Sequence, residues 1–280
     1  MPTRFPARLH VLLARENPMA VVIRRGPSDS VCTIGWDRAT DTFTEGQWLH
    51  GRIYERRSDL SADGRYLIYF ALNAQWESET GGSWTAISRA PWLHAVTLFG
   101  KGDGWNGGGL FTRKHRYWLN DGQGHRVIRT SSEVQPDPDS APQQRFGGEC
   151  PGVYYPRLIR DGWTLRERTT VSPSASFTVF DKPLAHGWLI RKVAHEQLDS
   201  PPGKGCYWDE HELVNTTTGV TIAAPDWEWA ELDRRRVVYA EGGCLYAVSV
   251  PERDAQTLAE PALLRDFNPM TFEARTAPYA

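Results

Sequence analysis

The sequence predicts an all-β chain built from many short sheets, and three observations carry that reading. The first is punctuation: 25 Gly and 19 Pro in 280 residues break the chain too often for long helices. The second is the segment Tyr66-Leu67-Ile68-Tyr69-Phe70-Ala71, which is apolar at successive positions rather than at alternate ones. A strand with one wet face alternates, so this one is expected to be covered on both faces. The third is that the same pattern returns later. Asp63-Gly64-Arg65-Tyr66-Leu67-Ile68-Tyr69 aligns with Asp233-Arg234-Arg235-Arg236-Val237-Val238-Tyr239 at an offset of 170 residues. That offset is four steps of roughly 42 residues, the period of a four-stranded repeat.

Taken in order, Met19–Ile23 is a short apolar run closed by Arg24-Arg25-Gly26-Pro27. Val31–Trp36 and Thr42–Leu49, joined by the turn-like Asp37–Asp41, read as a hairpin. Asp59–Ala71 places a Ser-x-Asp-Gly turn before the doubly covered strand. Weaker echoes of that strand occur at Arg116–Asn120, Gly162–Arg166 and Gly187–Arg191. In the C-terminal part, Trp208–Val214 and Val220–Ala223 flank the turn Asn215–Gly219. Trp227–Leu232, Val237–Ala240 and Cys244–Val250 follow as further strands.

The Ser61-Ala62-Asp63-Gly64 turn feeding a strand resembles the repeat of TolB-like and WD40-like β-propellers. The resemblance covers about a dozen residues and is weaker in the second copy, where Arg234 answers Gly64. It implies a β-propeller of about five or six four-stranded blades. The ending Asp266-Phe267-Asn268-Pro269-Met270-Thr271-Phe272-Glu273 is similar to that of uncharacterised bacterial proteins, which implies no activity. A single propeller domain over residues 1–280 is expected. The Pro-rich stretch at about 131–146, with Pro136, Pro138 and Pro142, reads as an exposed loop inserted in it. Candidate strands for closing the ring are Leu9–Ala14 and Leu263–Phe272.

Composition excludes several functions. Lys+Arg 32 against Asp+Glu 34 leaves a net charge of −2, so no nucleic acid or anionic membrane is expected as a partner. No apolar stretch is long enough for a membrane span, and the run Leu9–Ala14, broken by His10, is too short for a secretory leader. The four cysteines, Cys32, Cys150, Cys206 and Cys244, lack metal-ligand spacing and read as reduced thiols of a cytoplasmic protein. No cofactor is expected.

The Gly-rich run Gly100–Gly109 lacks the GK[ST] element and following helix of a phosphate loop. It reads either as a long flexible loop or as a ligand loop at one mouth of the ring. In the second case the candidate ligand-binding residues are Trp84, Trp92, His94, Asp103 and Trp105, with Trp105 placed to stack on a sugar or an aromatic group. Cys206–Glu212 gathers ligand-type residues, but on a strand Asp209 and His211 point one way and Glu210 and Glu212 the other. No metal site is assigned. His115, His125, His186 and His195 show no nucleophile–base–acid spacing, and no G-x-S-x-G motif occurs. The catalytic set is therefore unknown. The function expected is a non-catalytic scaffold binding a protein partner through loops at one mouth, with a carbohydrate-binding or carbohydrate-processing propeller as the alternative.

Overall fold

A computed structural model describes residues 5–26, 29–122, 124–147 and 149–280. The protein is all-β, with five sheets in chain order that are antiparallel apart from one short parallel pairing. Each is assembled almost entirely from consecutive strands, as the many turns dictate. Sheet A joins Arg8–Leu13, Met19–Arg25, Ser30–Asp37 and Thr42–His50. Sheet B joins Arg52–Ile53, Asp59–Leu60, Tyr66–Leu72, Ser83–Arg89, Ala95–Gly100 and Arg126–Arg129. Sheet C is Gly109–Arg113, Arg116–Leu119 and Gln135–Pro136, the last in parallel. Sheet D runs from Thr164–Ser172 through Ala175–Pro183, Trp188–Gln197 and Tyr207–Asn215 to Thr221–Ala224. Sheet E runs from Trp229–Asp233 through Arg236–Glu241 and Cys244–Ser249 to Ala262–Asp266. Strand number varies from three to six, so only A and E match the expected four.

The chain divides into two compact units. The first contains His10–Arg157 and Met270–Ala280; the second contains Pro6–Leu9 and Leu158–Pro269.

In the first unit the doubly covered strand is where the sequence placed it. Leu67, Tyr69 and Ala71 join a core with Leu12, Val21, Ile23 and Val31 of sheet A. On the opposite face Tyr66 and Ile68 join Phe111 and Tyr117 of sheet C. Sheet B is thus sandwiched between A and C, which explains why period-two alternation is absent from Tyr66–Ala71. The preceding turn is tied by Asp63, whose Oδ1 accepts from Ser61 Oγ at 2.7 Å and from the Arg65 amide at 3.2 Å.

In the second unit the repeated segment behaves alike. Val237, Val238 and Ala240 are fully buried, and Tyr239 stacks on Trp227 at 4.0 Å. Arg234 takes φ 59° where Gly64 takes φ 70°, so the two turns share a left-handed residue despite the Gly-to-Arg difference. Asp233 holds Arg236 at 3.0 Å, closing this turn with an ion pair.

One expectation is corrected. Arg8–Leu13 pairs within sheet A and Ala262–Asp266 within sheet E, so the candidate closing strands do not share a sheet. The Pro-rich stretch is exposed in most positions but tethered: Gln135–Pro136 pairs with Arg116–Tyr117, and Asp137 accepts from Thr112 Oγ1 at 2.7 Å. Cys150–Arg160 is an α-helix, α1, despite containing Pro151, Gly152 and Pro156. Burial of Val153, Tyr154, Tyr155 and Leu158 outweighs the poor propensity of those residues.

Candidate functional site

The Gly-rich loop is not a slack connection. Its entry is fixed by the Lys101 amide on Ser83 O at 2.9 Å and by Ser83 Oγ donating to Asp103 O at 2.6 Å. Its exit is fixed by the Gly107 amide on Asn120 O at 3.0 Å and the Gly108 amide on Thr85 Oγ1 at 2.8 Å. Between them, Arg57 reaches up from the 3-10 turn Glu55–Arg57. Its guanidinium donates to Gly104 O at 2.8 Å, to Asn106 O and to the Glu149 carboxylate. Arg57 is 2% exposed and lies over the rings of Tyr54 and Phe70 at 4.7 and 5.2 Å. Gly107 and Gly108 have φ of 82° and 74°; a Cβ on the first would enter the Phe70 ring and on the second the Arg57 carbonyl. The glycines therefore permit close packing, and the expectation of a flexible loop is replaced by a locked one.

Asp103 accepts from buried Lys101 at 2.7 Å and from the Trp105 amide at 2.8 Å. Burial raises its pKa, but these donors outweigh it and hold the carboxyl below the usual range. Glu149 moves the other way. Burial raises its pKa, Asp103 adds to the rise, and the opposing pull of Arg57 is not enough to cancel them. Trp105 projects from this frame 67% exposed. A second exposed indole, Trp76 at 53%, rests on Gly82 in the neighbouring loop, and Gly81 abuts Gly102.

The five sequence candidates fall into two groups. Asp103 and Trp105 share the loop, and Trp84 lies beside it on the strand, opposite Gly100. Trp84 is half-buried and packs on the core between sheets A and B, so it supports rather than presents. Trp92 and His94 lie toward the other end of that strand, where Ser88 pairs with Ala95, four residues or roughly 13 Å away. There Ser88 Oγ donates to Trp92 O at 2.6 Å, and Tyr279 Oη donates to His94 O at 2.9 Å. His94 and Tyr279 rings meet edge to face at 5.6 Å. Sequence reasoning missed Arg57, which reaches Gly104 of the loop from 47 residues away in the chain, and Glu149, which meets Arg57 across 92 residues.

His125 was also misjudged by spacing. Its Nδ1–H donates to Asp121 at 3.0 Å, and Thr85 Oγ1–H donates to its Nε2 at 3.0 Å. That is an acid–base–hydroxyl line. Thr85 is fully buried and its oxygen also accepts the Gly108 amide, so the line braces the loop exit. Burial lowers the His125 pKa, and Asp121 only partly restores it. The neutral ring therefore favours the folded state: this stability is complete above about pH 6.5 and is lost as pH falls below it. Denaturant midpoints at pH 7 and pH 5 should differ less in His125→Gln than in the wild type; equal differences would contradict the bracing role.

In the second unit, Asp209 and His211 share a face, as expected, and both are buried. Asp209 faces Lys192 at 3.6 Å, and His211 Nδ1–H donates to Trp227 O at 2.8 Å. Glu210, on the other face, meets His195 at 3.3 Å. Among the described residues no group of His, Cys, Asp or Glu is arranged to hold a metal, and no helix is long and apolar enough to cross a membrane.

No protein-family model matches this chain. No curated protein matches it either. Among solved structures, it is similar to "Structure of U3-55K" at 10% identity and TM-score 0.30, covering 93% of this chain and 84% of that one. It is similar to "Crystal Structure of the N-terminal Domain of Nup159" at 8% identity and TM-score 0.17, covering 91% and 64%. Likenesses this distant assign no relationship; what is established is an all-β chain of five sheets carrying a locked, tryptophan-bearing loop.

Proposed function

We propose that this protein is a non-catalytic scaffold that binds a protein partner through the adjoining loops Gln75–Trp84 and Gly100–Leu110. One observation carries the reading: Trp105 stands 67% exposed on a loop whose backbone is pinned from both ends and from beneath. A large aromatic held in place loses little freedom on binding, which is the profile of an interface anchor. Trp76 widens the aromatic surface, and Asp103 supplies acceptor oxygens at its edge, its side chain 43% exposed. The face-to-face stacking of A, B and C supports reading the repeats as TolB-like or WD40-like propeller blades, about five or six in number, in one domain. This reading keeps a cytoplasmic location, on the cysteine spacing alone.

The test is capture from the native cell extract with wild type and Trp105→Ala in parallel. Because Trp105 is exposed, the substitution leaves stability within about 0.5 kcal/mol. A partner retained by wild type should be lost from the variant; equal recovery would remove the loop from the interface.

A second reading, a carbohydrate-binding or carbohydrate-processing protein, is favoured by a separate observation. Asp103 and Glu149 flank the same loop with their carboxyl pKa values pushed in opposite directions, the environment of an acid and a base. A glycan array on which wild type binds and Trp105→Ala does not would select it, and an array without wild-type signal would discard it.

A further inference from the structure

The segment Thr271–Ala280 lies on the first unit, separated in sequence from the rest of that unit by Leu158–Pro269. It forms no strand, and among the described residues none of its backbone groups pairs with a backbone group outside it. Side chains hold it at intervals instead. Phe272 stacks on His50 at 4.0 Å and leans on Trp48 at 5.9 Å. Arg275 O accepts from Gln47 Nε2 at 2.8 Å, and the Arg275 guanidinium meets Glu45 at 3.2 Å. Ala277 is buried. Tyr279 Oη donates to His94 O at 2.9 Å and accepts from the Arg89 amide at 3.0 Å, with its ring on the Arg89 guanidinium at 4.8 Å. The intervening Thr271, Glu273, Ala274, Thr276 and Pro278 are exposed.

The surface beneath is held in shape by groups outside the segment. The Leu93 and His94 amides donate to Gln47 Oε1 at 2.7 and 2.9 Å, which fixes that side chain and leaves its Nε2 to reach Arg275. Glu133 accepts from Arg89 Nε and Nη2 at 2.9 Å each and from Tyr66 Oη at 2.9 Å, so the guanidinium under Tyr279 is set by a bidentate pair. An aromatic seat, an amide clamp and a cationic platform are therefore in place for whatever lies on them, and a preorganised site spares its ligand the cost of ordering it. The resident segment does not answer every group there. The Trp48 indole N–H is shielded from solvent and finds no acceptor among the described residues, a cost this occupant leaves standing.

We propose that this surface is a peptide-binding groove, which the chain's own Thr271–Ala280 fills in cis and which takes in trans an extended partner segment of the same chemistry. That chemistry is read from the anchors Phe272, Arg275 and Tyr279: an aromatic residue, an arginine three positions on and a tyrosine four beyond it. Pairing through the backbone would accept many sequences, whereas anchoring through side chains selects this one. A tethered segment acts at an effective concentration of about millimolar, so it shields the groove until it is released or outcompeted. Nothing in this site draws on the tryptophan loop.

Fluorescence anisotropy with a labelled, end-capped peptide of Thr271–Ala280, added to the full chain, tests the idea. In wild type the resident segment competes, and binding should be weak. The full chain carrying Phe272→Ala and Tyr279→Ala, altered only in the segment, should bind the peptide at least about tenfold more tightly. Saturating peptide should also raise the urea midpoint of that variant, a readout that holds even if the substitutions cost it stability. A peptide carrying Arg275→Glu should bind the variant about fivefold more weakly, and adding Glu45→Arg to the chain should recover the loss. Binding no tighter to the variant than to wild type, a midpoint that does not rise, or equal binding of a peptide lacking both aromatic anchors would overturn the proposal.

Discussion

Phe70→Ala is expected to destabilise the first unit by about 3–5 kcal/mol, the usual cost of emptying a buried phenylalanine site. Phe70 is fully buried in the strand that sheets A and C cover from both sides. Its ring meets Tyr54 at 5.2 Å and the Arg57 guanidinium at 5.2 Å, and Gly107 packs directly against it. Two losses therefore combine, the buried aromatic area and the floor beneath the loop. Urea unfolding should show a sharply lower midpoint, whereas Leu263→Ala, at a position 56% exposed, should change it by less than about 0.5 kcal/mol. Similar midpoints for the two variants would mean that this strand is not enclosed.

Gly108→Ala should have the second large effect, about 3 kcal/mol, through two mechanisms. The residue holds φ 74°, where an L side chain costs roughly 1–2 kcal/mol. The added methyl would also collide with the Arg57 carbonyl oxygen, a rigid backbone atom, and overpacking of this kind costs roughly 1–3 kcal/mol. Gly104→Ala is the matched control: no atom lies within 4 Å of its added methyl, and its φ is not positive. It should be close to neutral. Partner capture should follow the same order, lost with Gly108→Ala and kept with Gly104→Ala. If both variants behave alike, the loop is not held by close packing.

The fold was legible in the sequence where burial left a one-dimensional trace. Leu67–Phe70 and Val237–Ala240 are apolar on both faces because other sheets cover them, and a run of that kind needs no partner to be recognised. Turn chemistry was legible too, since Asp63 and Asp233 precede left-handed residues in both copies. Helix α1 was not, because Pro151, Gly152 and Pro156 argue locally for a break and only tertiary burial of Tyr154 and Tyr155 reverses that.

The site was half legible. Asp103 and Trp105 are neighbours in chain, so proximity came free. Arg57 and Glu149 meet the loop from distant elements, and a buried arginine looks in sequence like any surface charge. The rigidity of Gly100–Gly109 was hidden for a related reason: six glycines in ten residues signal freedom unless the atoms packed against them are known. The braced His125 was hidden because Thr85 and Asp121 lie 40 and 4 residues away, a spacing with no motif.

Amide hydrogen exchange resolved over residues 100–109 bears most directly on the claim that the loop is a rigid platform. The amides of Lys101, Gly107 and Gly108, each donated to a fixed acceptor, should exchange as slowly as those of the strand Ser83–Arg89. Exchange at the rate of an unprotected chain would show that Trp105 swings on a loose segment, and the anchor proposed here would not exist.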